Sequence, residues 1–335
     1  MVHLRIVAPE DCARQAVELL CAAESVLNVV HLHGVARKPA GDVILCDVAR
    51  EDVSVIVSDL KELEVPRHGS IAIEHIDSEI GDAIAAAERA APGLPSDAVI
   101  WEEVEDRTQE NTELSFSFVL FMIAAMQIAA IGIVLDQPIL IVGAMVVGPE
   151  FGPLAGLSVA IVELRPALVR RSLLALAVGF PAGAAATLVT NVLLKELDLI
   201  PDRYDPSAHP FTSFIAHPDF LSFFVAFIAG SAGILSLTNA KSGALIGVLI
   251  SVTTIPAAAN VAVGAAYGDW GTAGGAAAQL GINLGALVAA GVATTFVQRR
   301  YYIARRRRHL RDPVRRSAGL PVGRSARSPV PARRR

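Results

Sequence analysis

The sequence predicts an α+β protein, with a small mixed domain in front of a polytopic α-helical membrane bundle. Three observations lead to this prediction. Residues 1–113 are acidic, with 23 Asp and Glu against 9 Lys and Arg. Residues 114–298 are nearly free of charge, and residues 299–335 carry 14 Arg. Of all 335 residues, 53% are hydrophobic and 19% are charged, whereas soluble proteins carry about 25% charged residues. This pattern excludes a single soluble domain, a disordered chain and a disulfide scaffold.

The first domain, residues 1–77, alternates the two periodicities of strands and amphipathic helices. Strand patterns and helix patterns follow one another as β, α, β, β, α, β at residues 3–8, 10–22, 26–35, 43–48, 51–63 and 70–76. A Lys-Pro-Ala-Gly-Asp turn at 38–42 closes the central hairpin. This βαββαβ order is the ferredoxin-like plan. Without a basic and apolar leader before it, we expect the domain to remain in the cytoplasm.

Three histidines, His3, His31 and His33, are expected on the solvent face of this sheet, because residues i and i+2 of a strand point the same way. They offer a metal or anion site as a minor alternative to a hydrated or partner-covered face. The ferredoxin-like strand order separates His3 from the other two, which argues against a shared metal. No metal site is therefore assigned.

Two segments flank the membrane bundle. Residues 78–113 are predicted to be a helical and acidic connector. Residues 299–335 mix Arg with Pro, Gly and Ser and are predicted to be a disordered cytoplasmic tail. Its arginines are expected to bind anionic lipid, at about 1 kcal/mol for each residue near the surface, and not nucleic acid.

Six apolar segments are long enough to cross a bilayer, which takes about 20 residues. They are 114–135, 138–164, 168–194, 220–238, 243–267 and 276–298. Arg165, Arg170, Arg171 and the arginines at 299–308 lie on one side in this arrangement, and the positive-inside rule makes that side cytoplasmic. Both termini are then in the cytoplasm of a multi-pass protein of the cell membrane. The two halves have opposite topology, as in a three-plus-three inverted repeat.

The middle span of each half contains helix breakers. The first has Gly148, Pro149, Gly152 and Pro153 around Glu150, and the second has Pro256 after a Thr pair. Unwound backbone at membrane depth persists only where it is buried in protein or lines a wet cavity, and an intramembrane carboxylate marks a functional position. The expected permeation or binding residues are Gly148, Pro149, Glu150, Gly152, Pro153, Thr253, Thr254, Pro256, Asn260 and Asn283. A proline kink packed against a neighbour, with Glu150 paired or hydrated, is the competing interpretation.

The half-helices after these breaks are expected to begin near Phe151 and Ala257 and to direct free N–H groups at a solute. Because proline has no N–H, the carbonyl oxygen one turn upstream of each of the three prolines is expected to lack its helical hydrogen bond. The half-helix donors favour an anionic or zwitterionic solute, whereas Glu150 favours a cation or a proton. We give the donors more weight here, with Glu150 protonated or displaced toward the wet mouth.

Residues 130–154, AIGIVLDQPILIVGAMVVGPEFGPL, resemble the hallmark of the domain-of-unknown-function 389 family of bacterial and archaeal membrane proteins. The family pattern is an IGAM-type helix followed by a broken Pro-x-x-Gly-Pro segment, which Pro149, Gly152 and Pro153 match. Residues 243–260 and the acidic front are also similar, so the resemblance covers about residues 1–300. Glu150 departs from the apolar residue of many relatives. The resemblance implies a membrane protein and no particular activity.

The residues predict a small-solute or ion transporter or channel with a cytoplasmic regulatory domain. The alternative is a membrane-bound sensor or oligomeric scaffold that transports nothing. No nucleophile–base pair, metal-ligand spacing or phosphate loop is present in the sequence, so we expect neither an enzyme nor a cofactor. Segments of small residues at helical spacing predict close helix packing and a homo-oligomer, a dimer or a trimer.

Overall fold

The computed structural model describes residues 1–91, 93–94, 97–201, 209, 212–216, 219–238 and 244–323. The chain divides into two units. The sheet unit contains Met1–Val104 and the described chain from Gln298 onward. The helical unit contains Glu105–Val297. The two units meet within two helices, near residues 104 and 298. The domain boundaries predicted from the sequence at residues 77, 113 and 298 remain predictions.

The sheet unit contains one four-stranded antiparallel sheet in the order β2-β3-β1-β4. Its elements in chain order are β1 (Val2–Ala8), α1 (Glu10–Ala22), β2 (Val26–Arg37), β3 (Ala40–Val48), α2 (Val53–Glu62), α3 (Val65–His68), β4 (Ser70–His75) and α4 (Asp82–Ala90). The β2–β3 hairpin is longer than predicted. Strand β2 continues to Arg37 and β3 begins at Ala40, so only Lys38 and Pro39 lie between the two strands.

The core of the sheet unit lies on one face of the sheet and follows from the alternation of β1. Leu4 pairs with Cys46 and Ile73, and Leu4 and Cys46 are fully buried beside apolar residues of α1 and α2. Each fully buried aliphatic side chain contributes about 1.5–3 kcal/mol. The predicted acidic connector contains helix α5 (Trp101–Asn111), whose first amide donates to Ser54 Oγ of α2 at 2.9 Å.

The described part of the basic tail is ordered, which differs from the predicted disordered tail at 299–335. The last helix, α13 (Trp270–His309), runs well past residue 299. Beyond it, Ala318 and Leu320 are buried in the core of the sheet unit, and Arg306 and Arg315 are fully buried. The tail folds back because acidic residues of α2 neutralise these arginines. Residues 324–335 lie outside the described residues.

The helical unit consists almost entirely of apolar helices. They are α6 (Phe116–Val134), α7 (Pro138–Val147), α8 (Phe151–Val162), α9 (Pro166–Glu196), α10 (Phe220–Thr238), α11 (Ala244–Ser251), α12 (Thr254–Tyr267) and most of α13. Helices α6 and α9 are joined inside the unit by Gln127, whose Nε2 donates to Thr190 Oγ1 at 2.7 Å. Such interhelical hydrogen bonds are typical of helices packed in lipid.

Four of these helices are long and apolar enough to cross a membrane: α6, α9, α10 and α13. Helices α7 and α8 pass the same test as a pair bent by 50°, which makes up to five spans among the described residues. The predicted fifth span, 243–267, is divided between α11 and α12, which have 8 and 14 residues; residue 243 lies outside the described part. The apolar helices support insertion in a membrane.

Candidate functional site

The first helix break separates α7 from α8. Helix α7 ends at Val147 with Gly148 as its C-cap, and Glu150 occupies the N-cap position of α8. Pro149 lies between them. Pro153 is the third residue of α8, where a missing N–H costs no helical hydrogen bond. The sequence therefore ends one helix and starts another within three residues, with Glu150 at the junction.

The second break, between α11 and α12, has the same construction. Helix α11 ends at Ser251, Thr253 occupies the N-cap position of α12, and Pro256 is again the third helical residue. The half-helix thus begins at Thr254 and not near Ala257, three residues before the predicted start. The predicted start of α8 near Phe151 agrees with the structure.

A hydrogen bond joins the two breaks. Thr254 Oγ1 donates to Glu150 Oε1 at 2.6 Å, and both residues are buried. The second break also packs closely on Gly148, since a Cβ added there would lie 2.6 Å from Cγ1 of Ile255 and would overlap Glu150 Oε2. The carboxylate of Glu150 therefore lies against the first turn of both half-helices.

A second chain of hydrogen bonds connects the break before α12 to α13. Asn283 Nδ2 donates to Thr253 Oγ1 at 3.0 Å, and Gln279 Nε2 donates to Asn283 Oδ1 at 3.2 Å. Gln279 is only 2% exposed and was absent from the predicted site. Its position four residues before Asn283, on the same helix face, is the signal that identifies it.

Three buried oxygens of predicted site residues and of Gln279 accept no hydrogen bond from any described residue: Glu150 Oε2, Asn260 Oδ1 and Gln279 Oε1. Glu150 is 4% exposed, and no basic side chain among the described residues pairs with it. A buried carboxylate without a counter-ion is costly unless it binds a proton, a cation or water. Within the described part of the chain, the site therefore has unused acceptors and no basic side chain to compensate the charge.

The carbonyl oxygens upstream of two of the three prolines differ from the prediction. The carbonyl four residues before Pro153 is that of Pro149, which accepts from Gly152 N at 3.3 Å. The carbonyl four residues before Pro256 is that of Val252, which accepts from Thr254 N at 2.9 Å. Because both prolines lie in first turns, each of these two oxygens accepts a local turn bond.

Gly152 has a packing role. A Cβ at this position would lie 2.8 Å from the carbonyl oxygen of Asn111, so the glycine allows α8 to pass the end of α5. Gly152 thus contacts the connector, whereas Glu150, Thr253, Thr254 and Asn283 form the hydrogen-bonded group.

A cleft of about 270 Å³ reaches this group from the amino-terminal end of α10. Its polar lining consists of Asp219, Ser222, Ser251, Thr253 and Asn283. Thr253 and Asn283 line the cleft. The residue after Thr253 in the chain, Thr254, is the hydrogen-bond donor to the buried carboxylate of Glu150, so the cleft lies next to the residue that contacts Glu150. Volume and lining suit water and small polar solutes.

The sheet unit holds the only group of described His, Cys, Asp and Glu residues with metal-compatible spacing: His31, His33 and Asp42. His3 takes no part in it. It is hydrogen-bonded to Asp47 at 2.6 Å, in agreement with the expectation that β3 separates it from the other two histidines.

The comparisons with known proteins bear on the helical unit. Residues 145–289 match the model of a family described as domain of unknown function (DUF389). This match includes both helix breaks and Asn283. No curated protein and no solved structure is significantly similar to the chain. The similarity to the DUF389 model therefore covers the Glu150–Thr254 contact.

Proposed function

We propose that this protein moves a small solute or an ion across the cell membrane and that the sheet unit is its cytoplasmic regulatory domain. The observation that carries the proposal is the contact between two helix breaks at a buried carboxylate, Glu150 Oε1 to Thr254 Oγ1 at 2.6 Å. Paired broken helices in matching positions of two halves are typical of transporter binding sites. No catalytic group or cofactor enters this proposal.

The site favours a cation or a proton over the anionic solute that the half-helix donors first suggest. Glu150 itself occupies the N-cap of α8 and contacts the first residue of α12. The positive ends of both half-helix dipoles thus already face a carboxylate of the protein. The oxygens of Glu150, Asn260 and Gln279 that lack partners are all acceptors. We therefore assign Glu150 as the proton- or cation-binding group.

The helix geometry supports six crossings. At 1.5 Å per residue, α7 and α8 together extend for about 33 Å, close to the ~30 Å of a bilayer core. A 50° bend leaves α8 advancing in the direction of α7, whereas a re-entrant loop has to reverse. Helices α11 and α12 have a similar combined length and the same proline position. Each half then has one broken middle span.

Both chain ends are proposed to be cytoplasmic. Met1–Val104 and the chain from Gln298 belong to the same unit, so the number of crossings between them is even. Six crossings satisfy this condition with α11–α12 as a span. Arg165, Arg170 and Arg171 then lie on the side of the termini, as the positive-inside rule requires. The sheet unit, of proposed ferredoxin-like plan, is cytoplasmic in this arrangement; its strand order β2-β3-β1-β4 supports that plan.

A cysteine introduced at position 207 is expected to react with a membrane-impermeant thiol reagent in intact cells, whereas one at position 317 is expected to react only after lysis. Position 207 lies between α9 and α10, outside the described residues, and Ser317 lies beyond α13. The background lacks Cys12, Cys21 and Cys46. Labelling at 317 and protection at 207 would contradict the orientation.

Transport is tested with purified protein in liposomes. An imposed membrane potential should drive uptake of H⁺, Na⁺ or K⁺, measured with a pH-sensitive dye and with isotopes. Glu150→Gln removes the charge and is expected to lower the rate at least about tenfold. Thr254→Val removes the donor to Glu150 and should also lower it, whereas Thr254→Ser keeps the donor and should restore most of the rate.

Thr187→Val is the matched control. Thr187 on α9 is buried like Thr254, but its hydroxyl has no hydrogen-bond partner among the described residues. Its replacement should leave the rate unchanged. Wild-type protein that elutes as a folded species and moves none of the three ions would contradict the proposed ion transport and favour the sensor or scaffold.

A homo-oligomer is proposed as the working state. Gly274, Gly281 and Gly285 lie on α13 with nothing within 4 Å of an added Cβ, so this small-residue face has room for a second copy. Gly179 and Gly183, by contrast, already pack against Phe118, Met122 and Met126. Light scattering of the detergent-solubilised protein measures the assembly, and a single 35.2 kDa chain would contradict it.

Exposed tail arginines, such as Arg307 and Arg308, are proposed to contact anionic lipid.

A further inference from the structure

The β2–β3 hairpin is irregular near its turn, and this irregularity brings three potential ligands together. The strand register shifts between Leu32 and Ala36. Within the shifted segment Gly34 has a φ of +64°, which favours glycine. Its N–H donates to Asp42 Oδ1 at 2.8 Å. The bulge thus fixes Asp42 and leaves Oδ2 directed at the two histidines.

His31 and His33 approach the same carboxylate oxygen. The distance from Asp42 Oδ2 is 2.8 Å to His31 Nε2 and 3.3 Å to His33 Nδ1. All three ligand atoms lie within 4.8 Å of one another, and the imidazole centroids are 3.9 Å apart. Two residues of one strand at i and i+2 and one residue of the next strand therefore converge on one point.

We propose that His31, His33 and Asp42 bind a divalent transition-metal ion of the Zn²⁺ class, with water or a partner's ligand completing the coordination. Ligand atoms of a tetrahedral zinc site lie about 3.3 Å apart, given bonds of about 2.0–2.1 Å. The two distances from Asp42 Oδ2 are within about 0.5 Å of this value, and the remaining distance, between the two histidine nitrogens, has to shorten by at most about 1.5 Å. Two imidazoles and one carboxylate suit zinc and its neighbours, whereas Mg²⁺ and Ca²⁺ prefer oxygen ligands.

The surroundings favour an ion held with an open coordination position. The Asp42 side chain is 5% exposed and that of His31 is 19% exposed, so both are fixed, while His33 is 74% exposed and faces solvent. The Gly34 N–H donates to the other carboxylate oxygen of Asp42 and orients it in the way that outer-shell donors orient metal ligands.

The other histidine on this sheet shows why the arrangement at the hairpin is distinctive. His3 Nδ1 lies 2.6 Å from Asp47 Oδ1, and Asn28 Nδ2 donates to Asp47 Oδ2 at 2.6 Å. Both carboxylate oxygens thus have a protein partner, and only one imidazole is present. His3 serves as the matched control, since it is also part of an Asp–His pair.

The test is equilibrium binding of Zn²⁺ to the full chain, purified in detergent without a polyhistidine tag, against a competing chromophoric chelator. The wild type should bind one equivalent. His33→Asn and Asp42→Asn should each weaken binding at least about 100-fold, because even outer-shell replacements cost about 10–100-fold. His3→Asn should bind as the wild type does.

Three results would overturn the assignment. They are a wild type without a stoichiometric site, a site whose affinity His33→Asn and Asp42→Asn leave unchanged, and an equal loss in His3→Asn. Misfolding does not obscure the result, because His33 is exposed and its replacement leaves the core intact, which circular dichroism verifies. Cys12, Cys21 and Cys46 remain in all the proteins compared, so any thiol contribution is constant.

Discussion

Asp59→Ala is expected to lower the free energy of unfolding of the sheet unit by about 3–5 kcal/mol, the usual cost of removing one partner from a buried ion pair. Asp59 lies on α2 and is fully buried. It accepts from Arg306 Nη1 at 2.5 Å and also from Arg315 Nη1. These arginines are fully buried as well, so the substitution leaves positive charge inside the unit without a counter-charge.

The charges of this cluster balance. Glu62 completes it, accepting from Arg306 Nη2 and from Arg315 Nη2, each at 2.6 Å. Burial, and then the charge of Arg306, lowers the pKa of His309, so this imidazole is neutral at pH 7 and its Nε2 lies 2.7 Å from Asp59 Oδ2. Two carboxylates thus face two guanidinium groups. Removing Asp59 leaves two positive charges against one negative charge.

The change is measured by chemical denaturation of the full chain in detergent with Trp101 as the reporter. Trp101 is buried in the sheet unit, and the chain's other tryptophan, Trp270, is replaced by Phe. Trypsin gives an independent measurement. Arg311 and Arg316 are exposed on the segment that Arg315 anchors, so cleavage after them should accelerate when the anchor is lost.

Two control variants distinguish the effect of an unpaired buried charge from nonspecific destabilisation of the sheet unit. Glu10→Ala removes an exposed ion pair with Arg14 and should change the unfolding free energy by no more than about 0.5 kcal/mol. The double variant Asp59→Leu with Arg315→Met leaves Arg306 opposite Glu62 and should cost less than Asp59→Ala alone. If the double variant is the less stable of the two, an unpaired charge is not the cause.

The helix breaks could be predicted from sequence because their causes are local. Proline and glycine act on the backbone of their own turn, so the junctions at 148–153 and 251–256 follow from residue identity. Neither the start of α12 nor the occupied carbonyl oxygens could be predicted in this way. The start of α12 depends on Thr253 taking the cap position, which places Pro256 in the first turn. The bonds to the carbonyl oxygens of Pro149 and Val252 form in the turns where α8 and α12 begin.

The buried ion cluster could not be predicted, because its partners are 247 and 256 residues apart in the chain. From composition alone, a run of arginines is interpreted as a hydrated or lipid-binding tail. Nothing in the local sequence distinguishes Arg306 and Arg315, which are fully buried, from their exposed neighbours Arg307 and Arg316. Gln279 is a different case, because its partner Asn283 lies only four residues away on the same helix face, and the predicted site contained Asn283 without it.

Gly148→Ala is expected to destabilise the helical unit by about 1–3 kcal/mol, the usual cost of overfilling a packed interior, and to abolish function at the Glu150 site. The backbone does not cause this effect, because the φ of −65° at Gly148 suits alanine. The cause is space. The added Cβ would lie 2.6 Å from Ile255 Cγ1 and would overlap Glu150 Oε2, so the two breaks must separate and the hydrogen bond from Thr254 must lengthen.

Gly143→Ala provides the matched control, because Gly143 lies in α7 five residues earlier and an added Cβ there meets no atom of the described residues within 4 Å. Since alanine favours a helix over glycine by about 0.5–1 kcal/mol, this variant should be as stable as the wild type or more stable. Both variants are heated in detergent, the folded fraction is measured by size-exclusion chromatography, and ion uptake into liposomes is then compared. Equal melting and equal uptake in the two variants would mean that the breaks do not touch, because only a close approach of Ile255 and Glu150 makes position 148 intolerant of a methyl group.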